Sequence, residues 1–168
     1  FAALGEKIGN ISTEEMTEYA YRAQSENQWF TEDNIKRAFE GIRFMLEKPK
    51  LEEWINRYEN LNPEVPKIVG IIMAGNIPLV GFHDLMCVLI SGHFAAIKAS
   101  SQDSFLLKLI INWLLEIEPR LKKNLELRER LNSVEALIAT GSDNTARYFE
   151  YYFKDQPKII RKNRTSIA

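Results

Sequence analysis

The first part of the chain has the hydrophobic spacing of packed helices. Between residues 12 and 60, apolar side chains recur every three or four positions and so share one helical face. The clearest stripe consists of Ile35, Ala38, Phe39, Ile42 and Leu46. Asn62, Pro63 and Pro66 interrupt this spacing, so residues 1–62 are predicted to form a helical leader. The pattern does not show whether the leader packs on the following domain or on a neighbouring molecule, which leaves a homo-oligomer possible.

After Pro66 the pattern changes to short apolar runs that alternate with helical spacing. Three short runs, at 67–73, 93–99 and 134–140, are predicted to be strands, and the first, which is nearly continuously apolar and rich in β-branched residues, is typical of a strand buried on both faces. The first intervening helix follows Pro78, which suits a first helical turn; the second spans about 102–118, and the third runs from Ser142 to Phe153. This alternation predicts parallel strands joined by crossover helices. Residues 63–168 are therefore predicted to form an α/β domain with a Rossmann-like doubly wound parallel sheet.

The composition is that of one ordinary globular core. Of 168 residues, 45% are hydrophobic, and the 23 acidic and 22 basic residues nearly cancel. No net charge therefore attracts the chain to nucleic acid or to an anionic membrane surface. The single cysteine, Cys87, excludes an internal disulfide framework, so we expect a cytoplasmic protein. Phe1 stands in place of a methionine and a strand pattern begins at residues 165–168, so we expect a chain that is incomplete at both ends.

The residues that follow the predicted strands are the candidates for ligand binding. Carboxyl ends of parallel strands share one edge of a sheet, and open α/β sheets bind their ligands there. The residues at this edge are Gly75, Asn76 and Pro78, then Lys98, Ser100 and Ser101, and finally Thr140, Gly141 and Ser142. Hydroxyl, amide and ammonium groups of this kind suit a phosphorylated ligand. The chain has no GxGxxG fingerprint, so any nucleotide is held in another way.

The serines and the glycine at this edge also have purely structural roles open to them. Gly141 permits a tight turn, and Ser142 can cap a helix whose free N–H groups face a pyrophosphate, or it can simply be an N-cap. Ser100 and Ser101 can bind a ligand or cap the helix that follows them.

Lys98 and Asn76 offer the most specific chemistry at this edge. Lys98 can hold a phosphate or a ribose hydroxyl, although a lysine at a strand exit can also extend into solvent. No acid stands beside Lys98 before Asp103, and an acid usually holds an unphosphorylated 2′-hydroxyl, so a 2′-phosphate would be tolerated. Asn76, between Gly75 and Pro78, can donate to a developing oxyanion or serve as an ordinary turn residue.

Four segments of the chain together resemble one family. They are residues 73–107 (MAGNIPLVGFHDLMCVLISGHFAAIKASSQDSFLL), 139–153 (ATGSDNTARYFEYYF), 159–168 (IIRKNRTSIA) and the leader segment 27–35 (NQWFTEDNI). These blocks resemble the acyl-CoA reductase family, which includes the LuxC-type fatty-acyl-CoA reductase of bacterial bioluminescence, and they extend over almost the whole chain. The resemblance implies an oxidoreductase that converts acyl-CoA to aldehyde with NADPH.

A wider similarity to aldehyde dehydrogenases implies roles for individual residues. Asn76 resembles the oxyanion asparagine of that superfamily, residues 98–101 resemble its Lys-Pro-Ser-Glu ribose motif, and Gly141 with Ser142 resembles its pyrophosphate turn. Ser101 stands where the ribose motif often has glutamate, which fits NADPH. The cofactor-binding residues implied by the resemblance are Lys98, Ser100, Ser101, Thr140, Gly141 and Ser142.

The nucleophile implied by the resemblance has no counterpart in the sequence. The catalytic cysteine of the superfamily comes from a second domain, so we expect the chain to be truncated before its catalytic domain. Cys87 lies four residues after His83, a spacing that would let imidazole activate a thiol, but a lone cysteine among apolar residues is expected to be inert core. No metal site is expected at Asp84 or His93 either. Residues 161–164 (RKNR) lie near the place where hydrolytic aldehyde dehydrogenases have a glutamate, which a reductase does not need.

Two other functions remain open from the sequence. The chain can belong to an NAD-dependent CoA-acylating aldehyde dehydrogenase, or it can be a noncatalytic nucleotide-binding module. The sequence does not indicate the length of an acyl substrate.

Overall fold

The structure is a computed structural model that describes residues 1–162. Its helices are α1 (Ala2–Gly9), α2 (Thr13–Glu26), α3 (Glu32–Met45), α4 (Lys48–Ile55), α5 (Phe82–Ile90), α6 (Ser104–Ile117) and α7 (Asp143–Tyr152), with a 3-10 helix at Pro119–Lys123. Its strands are β1 (Ile68–Ile72), β2 (Phe94–Lys98), β3 (Leu125–Leu127), β4 (Ala136–Thr140) and β5 (Lys158–Arg161). The strand pattern at residues 165–168 lies outside the described residues, as do the last two residues of the segment 161–164.

The strands form one five-stranded sheet in the order β3-β2-β1-β4-β5, and every neighbouring pair is parallel. The three predicted strands are confirmed, because β1, β2 and β4 lie within the runs 67–73, 93–99 and 134–140. The hydrophobic pattern does not predict β3 and β5, because both lie at the edges of the sheet. Edge strands are short and largely exposed here, so they lack the continuous apolar run of a buried parallel strand.

Helices cover both faces of the sheet, as the alternating side-chain directions of the strands require. Val69 and Ile71 of β1 pack with apolar residues of α5 and α6. The opposite face carries Leu137 and Ala139 of β4, against which Phe149 of α7 packs. The order of the strands and the two helical layers confirm the predicted α/β fold with a Rossmann-like parallel sheet.

The leader packs on the outer side of the helical layer formed by α5 and α6. Phe30, Ile35 and Phe39 are buried in the same core cluster as Trp113 and Leu114 of α6. The leader therefore packs on the α/β domain of its own chain, a point that the sequence pattern left open. The boundary after residue 62 stays a prediction. No helix within residues 1–162 is long and apolar enough to cross a bilayer.

The segment after β1 differs from its prediction. Pro78 does not lie in the first turn of a helix, because α5 begins only at Phe82 with Gly81 as its N-cap. The chain instead makes a turn in which Leu79 has a φ of +57°. An L-residue reaches this left-handed region only at a steric cost, so a tertiary contact has to hold it there. The contact is a hydrogen bond from the N–H of Leu79 to the carboxylate of Asp103, 24 residues further along the chain, and local sequence rules cannot detect it, so they placed the start of the helix too early.

We expect Phe39→Ala to lower the free energy of unfolding by about 3–5 kcal/mol, because it opens a cavity between α3 and α6. Chemical denaturation measures this change. Phe44 lies on the same helix but is 61% exposed, so Phe44→Ala is the matched control and should cost no more than about 1 kcal/mol. Equal losses in the two variants would show that the leader does not share a core with α6.

Candidate functional site

The carboxyl ends of the three inner strands meet at one edge, as the sequence predicts. Ile72 of β1 is level with Lys98 of β2 and with Ala139 of β4. The backbone N–H of Met73 still bonds to the carbonyl oxygen of Lys98, at 3.1 Å. The loops that carry the candidate residues therefore leave the sheet side by side.

The loop after β1 is fixed at both sides of Asn76 by buried polar side chains. Asn27, at the end of α2, donates its Nδ2 to the carbonyl oxygen of Gly75 at 2.8 Å. Asp103, at the start of α6, accepts the N–H of Leu79 at 2.6 Å. Asn76 itself is exposed and lines a cavity of about 520 Å³. Trp29, Arg37 and Ile77 also line this cavity, so Asn76 faces the leader.

Gly75 allows the loops after β1 and β2 to touch. A Cβ atom added at Gly75 would lie 2.8 Å from Cβ of Ser100 and 2.9 Å from Cβ of Gln102, closer than real side chains approach. Only glycine fits at this position without a shift of the second loop. The Ser100 hydroxyl accepts the N–H of Gln102 at 3.2 Å and so stabilises its own turn.

Ser100 and Ser101 do not cap α6, which was one of the two roles that the sequence allowed for them. The cap comes from the leader. One carboxylate oxygen of Glu26, on α2, accepts the N–H groups of Ser104 and Phe105, each at 2.8 Å. These are the first free N–H groups of α6. A leader residue thus caps the helix, and Ser101 remains exposed at the sheet edge.

Lys98 is exposed and stands between two cavities. The larger cavity, about 620 Å³, lies on the α7 side and includes Arg130 and Tyr148. The smaller one, about 350 Å³, includes Lys108 and Arg128. Basic groups therefore surround the end of β2, and Lys98 lines a different cavity from Asn76.

The turn after β4 has the capping role that the sequence allowed. Ser142 is the N-cap of α7, and its Oγ accepts the N–H of Thr145 at 3.3 Å. The N–H of Gly141 bonds to the carbonyl oxygen of Arg161 at 3.1 Å, so it continues the ladder between β4 and β5. Thr140 pairs with Arg161 in the same ladder. The turn is hydrogen-bonded to β5 and to the first turn of α7, and α7 begins at the edge of the sheet where the other candidate residues lie.

Cys87 does not have the surroundings of a nucleophile. Its Sγ lies 3.7 Å from both ring nitrogens of His83, but burial, followed by the charge of Asp84, raises the pKa of the thiol. A raised pKa keeps the sulfur protonated and weakly nucleophilic. Asp84 is itself paired with Arg161 at 2.6 Å. Within residues 1–162, no three His, Cys, Asp or Glu side chains are grouped closely enough to hold a metal ion.

Sequence reasoning missed Glu26, Asn27 and Asp103. Asn27 belongs to the family-like leader segment, and Asp103 directly precedes a helix, but neither pattern reveals a partner far away in the chain. Their contacts form only when α2 and α6 pack together. These three residues therefore bond to the backbone of the candidate site and of the helix beside it, and they do not line the site themselves.

The parallel sheet, its two helical layers and the polar loops at its carboxyl edge define a Rossmann-like α/β protein. A sequence profile of the acyl-CoA reductase (LuxC) family matches residues 6–148. The chain therefore belongs to that family of oxidoreductases, and the resemblance seen in the sequence is confirmed. A search of curated proteins finds no match to the chain.

Asp103→Asn should change how stability depends on pH. Burial raises the pKa of Asp103 to about 7, against an ordinary value of 3.8; the Leu79 N–H opposes this shift, and the nearby Glu26 adds to it. The folded protein therefore binds a proton that the unfolded chain releases between about pH 4 and 7, so this carboxyl lowers stability as the pH rises through that range.

The asparagine variant lacks this proton and should gain stability over the parent by at least about 1 kcal/mol between pH 5 and pH 8. Chemical denaturation of both proteins at the two pH values measures the difference. Parallel pH profiles would show that Asp103 titrates normally.

Proposed function

We propose that this chain supplies the NADPH-binding edge and the oxyanion donor of an acyl-CoA reductase that forms aldehyde, free coenzyme A and NADP. The observation that carries the proposal is the family match together with the exposed Asn76 on a fixed loop at the carboxyl end of the central strand. In this proposal a cysteine outside these 168 residues takes the acyl group as a thioester. The protonated, half-buried thiol of Cys87 is consistent with that assignment.

Asn76 suits the stabilisation of charge on a thioester carbonyl. When a nucleophile or hydride adds to that carbonyl, negative charge develops on its oxygen, and a fixed amide donor stabilises the charge more than it stabilises the neutral substrate. Fixing matters because a donor held in place needs no reorganisation during the reaction. The bonds to Gly75 and Leu79 and the buried ring of Pro78 restrict the loop in this way.

The donor groups around Lys98 fit a nucleotide with an additional phosphate. Lys98, Lys108 and Arg128 line one cavity, with Glu129 as the only acidic residue of that lining. Arg128 is also paired with Glu126 at 2.7 Å, which leaves the two lysines as the less neutralised cations there. A 2′-phosphate is a doubly charged anion that such a set would bind through charge-assisted hydrogen bonds. The bound NADPH would supply the hydride.

The turn at Gly141 and Ser142 adds a second anion-binding element to the proposal. The amino end of α7 carries the positive end of a helix dipole, which favours a pyrophosphate. Thr140, Ser100 and Ser101 complete the proposed cofactor-binding set at the same edge. Here the chain's role is to orient the cofactor along the ends of β2, β1 and β4.

Asn76→Ala in the natural protein should lower kcat for acyl-CoA reduction by about 100-fold to 1000-fold, because it removes one oxyanion donor. The Kd for NADPH should change little, since Asn76 lies in a different cavity from Lys98. Stopped-flow turnover and fluorescence titration measure the two quantities. Asn10→Ala, at an exposed helix end, is the control and should keep the parental kcat. An unchanged kcat in Asn76→Ala would remove the oxyanion role.

Lys98→Ala should raise the Kd for NADPH about tenfold and the Kd for NADH much less, because NADH has no 2′-phosphate for the lysine to hold. Titration of cofactor fluorescence with the parent and the variant measures both constants. Lys122→Ala, exposed in the 3-10 helix, is the charge-matched control. Equal losses for both cofactors would mean that Lys98 holds ribose hydroxyls. Tighter binding of NADH by the parent would favour an NAD-dependent CoA-acylating enzyme.

A further inference from the structure

Asn27 links the leader to the loop that carries Asn76. Its side chain is only 8% exposed, and both polar atoms of the amide have partners. Nδ2 donates to the carbonyl oxygen of Gly75 at 2.8 Å, and Oδ1 accepts the N–H of Trp29 at 3.0 Å. The amide is therefore held in one orientation, and it fixes the peptide group that joins Gly75 to Asn76.

Asp103 fixes the other side of the same loop. Its side chain is 6% exposed, and Oδ2 accepts the N–H of Leu79 at 2.6 Å. Leu79 is in the left-handed region, at φ +57°, which costs an L-residue about 1–2 kcal/mol. The bond to Asp103 compensates this cost and keeps the turn after Pro78 in one conformation.

The two contacts belong to one connected group of residues. Glu26 directly precedes Asn27, and its carboxylate accepts the N–H groups of Ser104 and Phe105, which directly follow Asp103. The end of α2, the start of α6 and the loop after β1 are thus bonded to one another in all three pairings. A shift of any one of them would break a buried hydrogen bond, which costs about 1–3 kcal/mol when a partner is left unsatisfied.

The positions of the buried polar side chains indicate that they fix the loop after β1 and do not serve the stability of the fold in general. Among residues 1–162, three polar side chains are classed as buried, namely Asn27, Asp84 and Asp103. Two of the three bond to the backbone on either side of Asn76. Replacing buried polar groups by apolar groups of the same size is often neutral or stabilising, so we interpret these two residues as fixing the geometry of the loop to which they bond. The geometry fixed here is that of an exposed amide.

We propose that Asn27 and Asp103 are positioning residues that hold Asn76 in the orientation it needs as an oxyanion donor. The leader is thereby part of the active site, although none of its residues has to touch the reacting atoms. This inference rests on the proposed function for its effect on catalysis. The fixing of the loop is a separate statement, which can be measured without substrate.

A double-mutant cycle in the natural protein tests the catalytic part. Asn27→Ala and Asp103→Ala should each lower kcat at least tenfold, with the KM for acyl-CoA and the Kd for NADPH within threefold of the parent. When Asn76 is already alanine, adding Asn27→Ala should change kcat less than twofold, because the donor that Asn27 positions is gone. Asp103→Asn keeps an oxygen acceptor for the Leu79 N–H and should restore most of the kcat lost in Asp103→Ala.

Amide hydrogen exchange of the natural protein tests the loop itself. The Leu79 N–H, which is the hydrogen-bonded amide of the segment 76–79, should exchange at least tenfold faster in Asp103→Ala and should also lose protection in Asn27→Ala. Asn10→Ala and Asp155→Ala are matched surface controls and should leave this segment unchanged. Circular dichroism at the same temperature establishes that each variant is folded.

The possible results separate the two proposals. If Asn27→Ala lowers kcat as strongly without Asn76 as with it, the residue does not act through Asn76 and the positioning role is wrong. If exchange in the loop does not change, Asn27 and Asp103 do not fix it and the inference is overturned. If the parent does not reduce acyl-CoA while the loop loses protection as expected, the proposed function fails and the fixing of the loop stands.

Discussion

The segment from Gly75 to Leu79 has to leave the central strand, expose one amide and still satisfy the backbone groups that it buries. A free N–H or carbonyl in such a place is costly, so nearly all of them have partners in folded proteins. Here the partners are the side chains of Asn27 and Asp103. α2 and α6 each bring one polar residue to this loop, so the packing of these two helices and the shape of the loop depend on each other.

The close approach of Gly75 to Ser100 divides the edge of the sheet into two regions. On one side, Asn76 faces a cavity shared with leader residues. On the other side, Lys98 faces cavities lined by basic residues near β3 and by α7. In the proposed reaction this division separates charge stabilisation at the acyl group from recognition of the phosphate at the far end of the cofactor. Because Gly75 has no side chain, the two loops can touch, and the two regions lie next to each other on either side of this contact.

The sequence predicted the inner strands and the loops at their carboxyl ends, because burial on both faces leaves a local pattern in the sequence. The runs around β1, β2 and β4 are apolar because both faces are buried, and their carboxyl ends necessarily share an edge, so the sequence places Asn76, Lys98 and Gly141 in the loops at that edge. The edge strands β3 and β5 lack such runs. The supporting contacts join residues 48, 24 and 78 positions apart, namely Asn27 to Gly75, Asp103 to Leu79 and Glu26 to Ser104. No spacing rule reaches across such separations, and the late start of α5 has the same cause.

The leader was predicted to end at residue 62, where Asn62, Pro63 and Pro66 interrupt its pattern, and packing and hydrogen bonds join it to the residues beyond that boundary. An apolar residue at position 27 could fill the same volume, yet it would leave the carbonyl of Gly75 without a partner in a buried place. An apolar residue at position 103 would likewise leave Leu79 in a left-handed conformation with nothing to hold it. Polar residues at both positions are therefore explained by the loop they serve and not by the helices that carry them. Phe39 of α3 is buried against Trp113 of α6 in a core cluster that also includes Ala20 and Ala23 of α2, so the core that stabilises the leader also holds α2 beside α6.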